Sequence, residues 1–274
     1  MIWSLFWVSL SLIAALVIWL AIPNGGEHAV AFLAGYIIEE SLSIDNLFVF
    51  LMLFTYFKIS QKVQRKVLNY GIIGVIVLRG IMIFAGIGLL NRFEFLMYIF
   101  GAIVLYSAFR LFFGSEKEFD AEKSTIIRWT RKFIPVSKEF HGAKFFIRER
   151  GKLIATPLFV VLVVVEFTDF LFAFDSIPAI FAVTREPLII YGSNILAVLG
   201  LRSLYFLLVK MRSAFHYVER GVALILLFVG AKMVLPLFWK DFGISTLYSL
   251  IIILSILSVS ILSSILLPKK IQQQ

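Results

Sequence analysis

Eight runs of about twenty mostly apolar residues divide this chain, and a run of that length spans the hydrocarbon core of a bilayer as a helix. They cover residues 3–22, 30–57, 71–90, 95–113, 157–183, 188–209, 221–239 and 247–267. No soluble fold uses eight such runs in 274 residues. Composition agrees: 61% of residues are hydrophobic and 16% charged, against about half and a quarter in a soluble domain. The first run lacks a basic start and a small-residue cleavage site, so it reads as a retained helix and not as a signal peptide. With no cysteine, the chain has neither a disulfide framework nor a thiolate metal site.

The net charge of +9 could suggest nucleic acid in a soluble protein, but here it describes orientation. Four basic residues lie in the second connection (Lys58, Lys62, Arg65, Lys66), ten in the fourth (114–156), three in the sixth (Lys210, Arg212, Arg220) and two at the C-terminus (Lys269, Lys270). The alternate connections hold only Arg92, Arg185 and Lys240. The positive-inside rule then puts both termini in the cytoplasm, with the inner (plasma) membrane as the expected location. The mixed aromatic and basic stretch 126–146 suits either the anionic inner leaflet or a solvated loop. Lipid is therefore an expected partner and nucleic acid is not.

Six carboxylates break the apolar pattern: Glu39, Glu40 and Asp45 in the second run, and Glu166, Asp169 and Asp175 in the fifth. A central Asp costs on the order of 2.5–3.5 kcal/mol and a Leu-like residue returns about 0.3–0.6, so three acids offset most of a span's apolar gain. Such helices persist when the acids face protein, water or a cation. Four basic residues also lie within spans (Arg79, Arg110, Arg202 and Lys232). They can neutralise four acids and leave two over.

The acids are spaced alike. Glu39 precedes Asp45-Asn46 by the interval that separates Asp169 from Asp175-Ser176. Six residues of straight helix leave two side chains about 120° apart, so each pair shares a site only if its helix is interrupted. Ser41, Ser43 and Pro178 make interruption the expectation. Tyr70-Gly71 with Leu78-Arg79 is repeated as Tyr191-Gly192 with Leu201-Arg202, and the stretch from Phe93 to Arg110 as that from Phe215 to Lys232. These matches suggest a duplicated three-helix unit, which an odd number of spans inverts. Secondary transporters built this way hold substrate near the midplane, where the copies meet.

The expected architecture is an all-α membrane protein of about eight transmembrane helices, two inverted three-helix repeats with one flanking helix at each end. A single integral membrane unit would comprise a first helix and loop (1–29), repeat A (30–113), a cytosolic basic loop (114–156), repeat B (157–239) and a last helix with its tail (240–274).

Carboxylates with Asn46, Ser176 and backbone carbonyls form a hard oxygen donor set, suited to Mg²⁺, Ca²⁺ or Mn²⁺ rather than copper or zinc. His28, His141 and His216 lie in connections or beside a membrane boundary and read as surface residues. Carboxylates held away from water also relay protons, so protons are a candidate second substrate. Arg79 and Arg202 occupy matching repeat positions. Two readings stand for them: fixed partners of surplus acids, or mobile counter-charges that occupy the acids when a cation leaves. Lys232 invites a retinal Schiff base, but Phe228 stands where the customary aspartate would be one turn earlier.

Two segments resemble the signatures of the TerC family. They are Glu40-Ser41-Leu42-Ser43-Ile44-Asp45-Asn46, and Val165-Glu166-Phe167-Thr168-Asp169 continuing through Phe172-Ala173-Phe174-Asp175-Ser176-Ile177-Pro178-Ala179. Supporting matches are Pro135-Val136-Ser137, Phe145-Phe146 with Arg148, Thr156-Pro157-Leu158, Ser193-Asn194 and Gly200-Leu201-Arg202. Phe174 departs from the small β-branched residue expected there. The resemblance implies a LysE-like cation exporter of Mn²⁺, and some members are linked to tellurite resistance. It also implies Glu39, Asp45, Glu166, Asp169 and Asp175 as metal carboxylates, with Asn46 and Ser176 beside them. Glu40, Arg79, Arg202 and Lys232, by their place within the spans, read as supporting charges. A carboxylate-lined site repels an oxyanion, so tellurite itself is not the expected substrate.

The expected function is Mn²⁺ efflux by alternating access, with the ion as substrate and no prosthetic group. Its rivals are a proton-coupled transporter or proton relay without metal, and a non-transporting stress or assembly factor acting through the 114–156 segment. No nucleophile–base pair, phosphate loop or HExxH motif suggests an enzyme.

Overall fold

The computed structural model describes residues 2–113, 130, 134–137, 139–149, 151–210, 217–239 and 243–266; within them, the side chains of Ile2, Ile44, Asp45, Phe48, Arg202, Leu207, Leu208, Lys210 and Glu219 lie outside the description. Lipid offers no hydrogen bonds to the backbone, so an apolar chain must satisfy its own peptide groups, and the helix does this within each segment. The described helices are α1 (Ile2–Ala21), α2 (Gly25–Tyr56), α3 (Gln61–Arg92), α4 (Leu96–Phe113), α5 (Pro157–Phe181), α6 (Pro187–Lys210), α7 (Val218–Val234) and α8 (Thr246–Leu266). Seven of them, all but α2, are long and apolar enough to cross a membrane. Helix α2 is 32 residues long, but Glu39, Glu40 and Asp45 interrupt its apolar stretch. This is an all-α membrane fold.

Local chemistry sets the ends. Helix α5 begins on Pro157 after an extended Thr156, a position where proline's missing N–H is no loss. Helix α2 closes with Ile59 N–H donating to Phe54 O at 2.9 Å and Lys58 N–H to Thr55 O at 3.0 Å, the paired bonds of a Schellman cap. Lys58 takes the left-handed conformation that cap requires (φ 50°).

Two expectations are corrected. Helices α2 and α3 start earlier than their apolar runs, at Gly25 and Gln61, because polar residues that do not prolong a hydropathy run still prolong a helix. Neither acid-bearing helix is interrupted at its motif: α2 runs unbroken from Gly25 to Tyr56, and α5 from Pro157 to Phe181 with Pro178 inside it. Within a membrane, neighbouring helices can support the backbone around an internal proline.

The fourth connection also holds a two-stranded antiparallel hairpin, β1 (Phe146–Glu149) with β2 (Lys152–Ala155), Phe146 facing Ala155. Its base joins α5 through Thr156, whose Oγ1 donates to Lys144 O at 2.6 Å. It also meets α3, where Lys66 Nζ donates to Ala143 O at 2.6 Å and the rings of Tyr70 and Phe145 meet edge-on. Residues 126–129, 131–133 and 138 of the 126–146 segment considered for the leaflet lie outside the described residues.

Helix α2 is the hub, packed against α1, α5, α6 and α8, while α3 lies against α5 and α6, and α4 against α5 and α7. Exchanging α2–α4 with α5–α7 maps the α2–α6 contact onto α5–α3 and returns α4–α7 to itself. Helices α4 and α7 approach closely because a Cβ on Gly101 would sit 2.7 Å from Val234 Cγ2, and one on Gly230 2.8 Å from Leu105 Cγ. Small residues allow such approaches where the bilayer supplies no hydrophobic drive between helices. Helix α1 is peripheral: 11% of its span is buried, against 53% for α6. Buried polar side chains meet where α2, α3, α5 and α6 cross.

Candidate cation site

Four helices each send a buried polar side chain to that crossing: Glu39 from α2, Arg79 from α3, Asp169 from α5 and Asn194 from α6. Arg79 is the centre. Its Nε donates to Asp169 Oδ2 at 3.1 Å and its Nη2 to Asp169 Oδ1 at 3.0 Å, a bidentate fork. Its Nη1 donates to Glu39 Oε1 and, at 3.1 Å, to Asn194 Oδ1. Asn194 Nδ2 donates to Glu39 Oε2 at 2.9 Å, and Ser43 Oγ to Glu39 Oε1 at 3.2 Å. A planar guanidinium suits this task because its fixed donors match a carboxylate pairwise. With two acids to one base, the ionised cluster carries one excess negative charge.

Carboxylates of Glu39 and Asp169, and the amide oxygen of Asn194, converge on one guanidinium. They are the oxygens a hard cation would take. Among the described residues, no three Asp, Glu or His side chains gather into a metal cage, and Arg79 occupies the point where Glu39 and Asp169 converge.

Glu166 lies one turn before Asp169 on α5, and both its oxygens are buried with no hydrogen-bond partner among the described residues. The opposing face of α3 is opened for it by two glycines. A Cβ on Gly71 would come within 2.7 Å of Glu166 Oε1, and one on Gly74 would collide with Oε2. A cavity of about 30 Å³ lies beside this niche, lined by Leu47, Phe50, Gly71, Val75, Asp169 and Leu201 among others. A space of that size admits a water-sized body, and Asp169 is the only charged side chain on its wall among the described residues.

The other sequence-selected residues lie elsewhere. Asp175 does not join Asp169: it faces α4, where Ser107 Oγ donates to its Oδ1 at 2.6 Å and Arg110 acts on it electrostatically. The unbroken turns of α5 separate the two acids, so the site shared through an interruption is not present. Glu40 turns toward α6 and α1. It accepts from Tyr36 Oη at 2.9 Å, and Gly200 and Trp7 lie alongside. Asn46 is buried, and so is Ser176, whose Oγ has no partner among the described residues. Lys232 Nζ donates to Ser249 Oγ at 2.8 Å across the α7–α8 contact. The side chains of Asp45 and Arg202 lie outside the described residues. In the sequence, Asn194 carries only a family match, and Ser107 and Tyr36 only the signal of a polar residue within a mostly apolar run.

The sequence profile of the integral membrane protein TerC family matches residues 24–272. The chain belongs to the TerC family. The TerC match takes in α2 through α8 and leaves out α1, the least buried helix. It establishes the resemblance drawn from the two acidic motifs. Relatives include a Salmonella typhi protein provisionally named membrane-bound redox modulator Alx, 46% identical over 86% of this chain and 76% of that one. The Escherichia coli (strain K12) protein of the same name is 45% identical over the same shares. The thylakoid membrane protein TERC of Arabidopsis thaliana is 43% identical over 90% of this chain and 64% of its own. No solved structure matches this TerC protein.

Proposed function

We propose that this TerC-family protein exports a hard divalent cation, Mn²⁺ foremost, by alternating access between two halves, and that it does no enzymatic chemistry. One observation carries the reading. Two carboxylates and an amide oxygen from three helices converge deep in the bundle on a single cationic group, and every donor is oxygen. Oxygen-only donors favour Mn²⁺, Ca²⁺ and Mg²⁺ over softer metals, and the family resemblance favours Mn²⁺ among these.

Nineteen of the 26 basic residues fall on alternate connections, which supports an inner-membrane orientation with both termini cytoplasmic. The relatives' name speaks of redox modulation. This chain has no cysteine, so any redox influence here would run through the ion it moves and not through thiol exchange.

The test is a Mn-sensitive, efflux-deficient host expressing wild type, Asp169→Asn or Glu39→Gln. Wild type is expected to lower intracellular Mn and restore tolerance, and both variants to lose the effect. Intracellular Mn that is the same with wild type and with either variant would sink the proposal. The unpartnered Glu166 favours one second reading, a proton relay without metal. Liposomes loaded with a pH dye separate the two, since that reading requires proton flux indifferent to external Mn²⁺.

A further inference from the structure

Glu166 differs from the other acids described within the spans in having no partner among the described residues, and its niche faces the helix that carries Arg79. Glu40 is held by Tyr36 and Asp175 by Ser107. Glu39 and Asp169 are held by Arg79. Glu166 and Asp169 are three residues apart on α5, which makes them neighbours on one face, about 5–6 Å apart at Cβ. Helical side chains lean toward the N-terminus of their helix, so Arg79 reaches back over the turns that hold Gly74 and Gly71. Neither glycine has a side chain to block the path, and the small cavity opens beside Gly71 and Asp169.

From this geometry we infer that Arg79 is a tethered competitor for the cation, exchanging between two anchors on α5. In the ion-free arrangement its guanidinium sits on Glu39 and Asp169, as observed. When a divalent cation takes those oxygens, the guanidinium moves one turn to Glu166. Charge favours this pairing of events. Arg79 on Glu166 is a neutral pair, and the two negative charges left on Glu39 and Asp169 equal the charge of one divalent ion. A monovalent ion would leave the centre negative, and a divalent ion beside an unmoved Arg79 would leave it positive. The glycines at 71 and 74 keep the second anchor open. This inference rests on the export reading of the same site and adds how that site is emptied and refilled.

The experiment is Mn²⁺ binding to the purified full-length protein, read from the loss of the free-ion EPR signal. A tethered competitor lowers apparent affinity by the fraction of time it holds the site. Arg79→Gln, which keeps hydrogen-bonding capacity and loses the charge, is expected to tighten binding about tenfold. Glu166→Gln removes the second anchor and is expected to weaken binding about tenfold. In the Arg79→Gln background, Glu166→Gln should change nothing, since no arginine remains to be moved. Gly74→Ala narrows the niche against Glu166 without removing a charge and should weaken binding as Glu166→Gln does. If Glu166→Gln weakens binding equally in both backgrounds, Glu166 is a ligand and the exchange is wrong. Unchanged affinity in Arg79→Gln also overturns it. Failure of wild type to bind any of Mn²⁺, Mg²⁺ and Ca²⁺ would instead overturn the export reading, and the exchange with it.

Discussion

Two acids one turn apart on α5, both with their carboxylates withdrawn from solvent, have opposite surroundings. Asp169 is held by a bidentate arginine and shares that arginine with Glu39 and Asn194. Glu166 is equally removed from water at its oxygens and has no partner among the described residues. They share a helix and a carboxylate chemistry, and the difference in partners comes from α3. That helix presents an arginine to Asp169 and two glycines to Glu166. A satisfied polar cluster fixes the registry of four helices, whereas an open niche stores no such constraint and leaves room for movement.

The comparison breaks first at Arg79. Arg79→Met leaves Glu39 and Asp169 facing each other without a counter-charge, and uncompensated buried charge costs about 3–5 kcal/mol. Thermal unfolding in detergent micelles should show the largest loss of stability of any single substitution in the bundle. A loss no greater than that of a surface variant would mean that the cluster does not hold the helices together.

Asp175 provides an intermediate case, satisfied by a neutral donor. Ser107→Ala removes the 2.6 Å bond to its carboxylate and is expected to cost about 1.5–3 kcal/mol, the range for hydrogen bonds to charged groups. The same unfolding assay reads it, together with loosening of the α4–α5 contact by limited proteolysis.

Glu166→Gln should act with the opposite sign. An amide is cheaper to bury than an unpartnered carboxylate, so stability should hold or rise by about 1 kcal/mol. A clear destabilisation would show that Glu166 has a stabilising partner after all.

The smallest effect belongs to Lys232, which lies in the last turn of α7 and, among the described residues, bonds only a serine hydroxyl. Cations at a helix C-terminus contribute about 0.3–1 kcal/mol. Lys232→Met should therefore shift the melting temperature least of the four, and a larger shift would mark it as part of a functional site.

Much of the site was legible before the fold. The insertion cost of three acids in one span singled out α2 and α5, and the matched spacing selected Glu39 and Asp169, which meet in the structure through Arg79. The same spacing misled for Asp175. Interruption at Ser41, Ser43 or Pro178 was needed to bring it beside Asp169, and the packed neighbours of α5 let the helix continue through Pro178 instead. The glycines at 71 and 74 read only as part of a repeated Tyr-Gly pair and a further small residue. That they face a carboxylate depends on how α3 is rotated against α5.

The sequence by itself determined that this chain lives in a bilayer, that its long apolar segments are helices and which charges are out of place there. Those properties follow from transfer energies summed residue by residue along the chain, with lipid as the solvent, and they need no partner. Only the tertiary structure decided which acid holds the arginine, which one turns to Ser107 and which is left alone. A hydrogen bond depends on the rotation and crossing of two helices to within about an ångström, and no local sum along one helix contains that information.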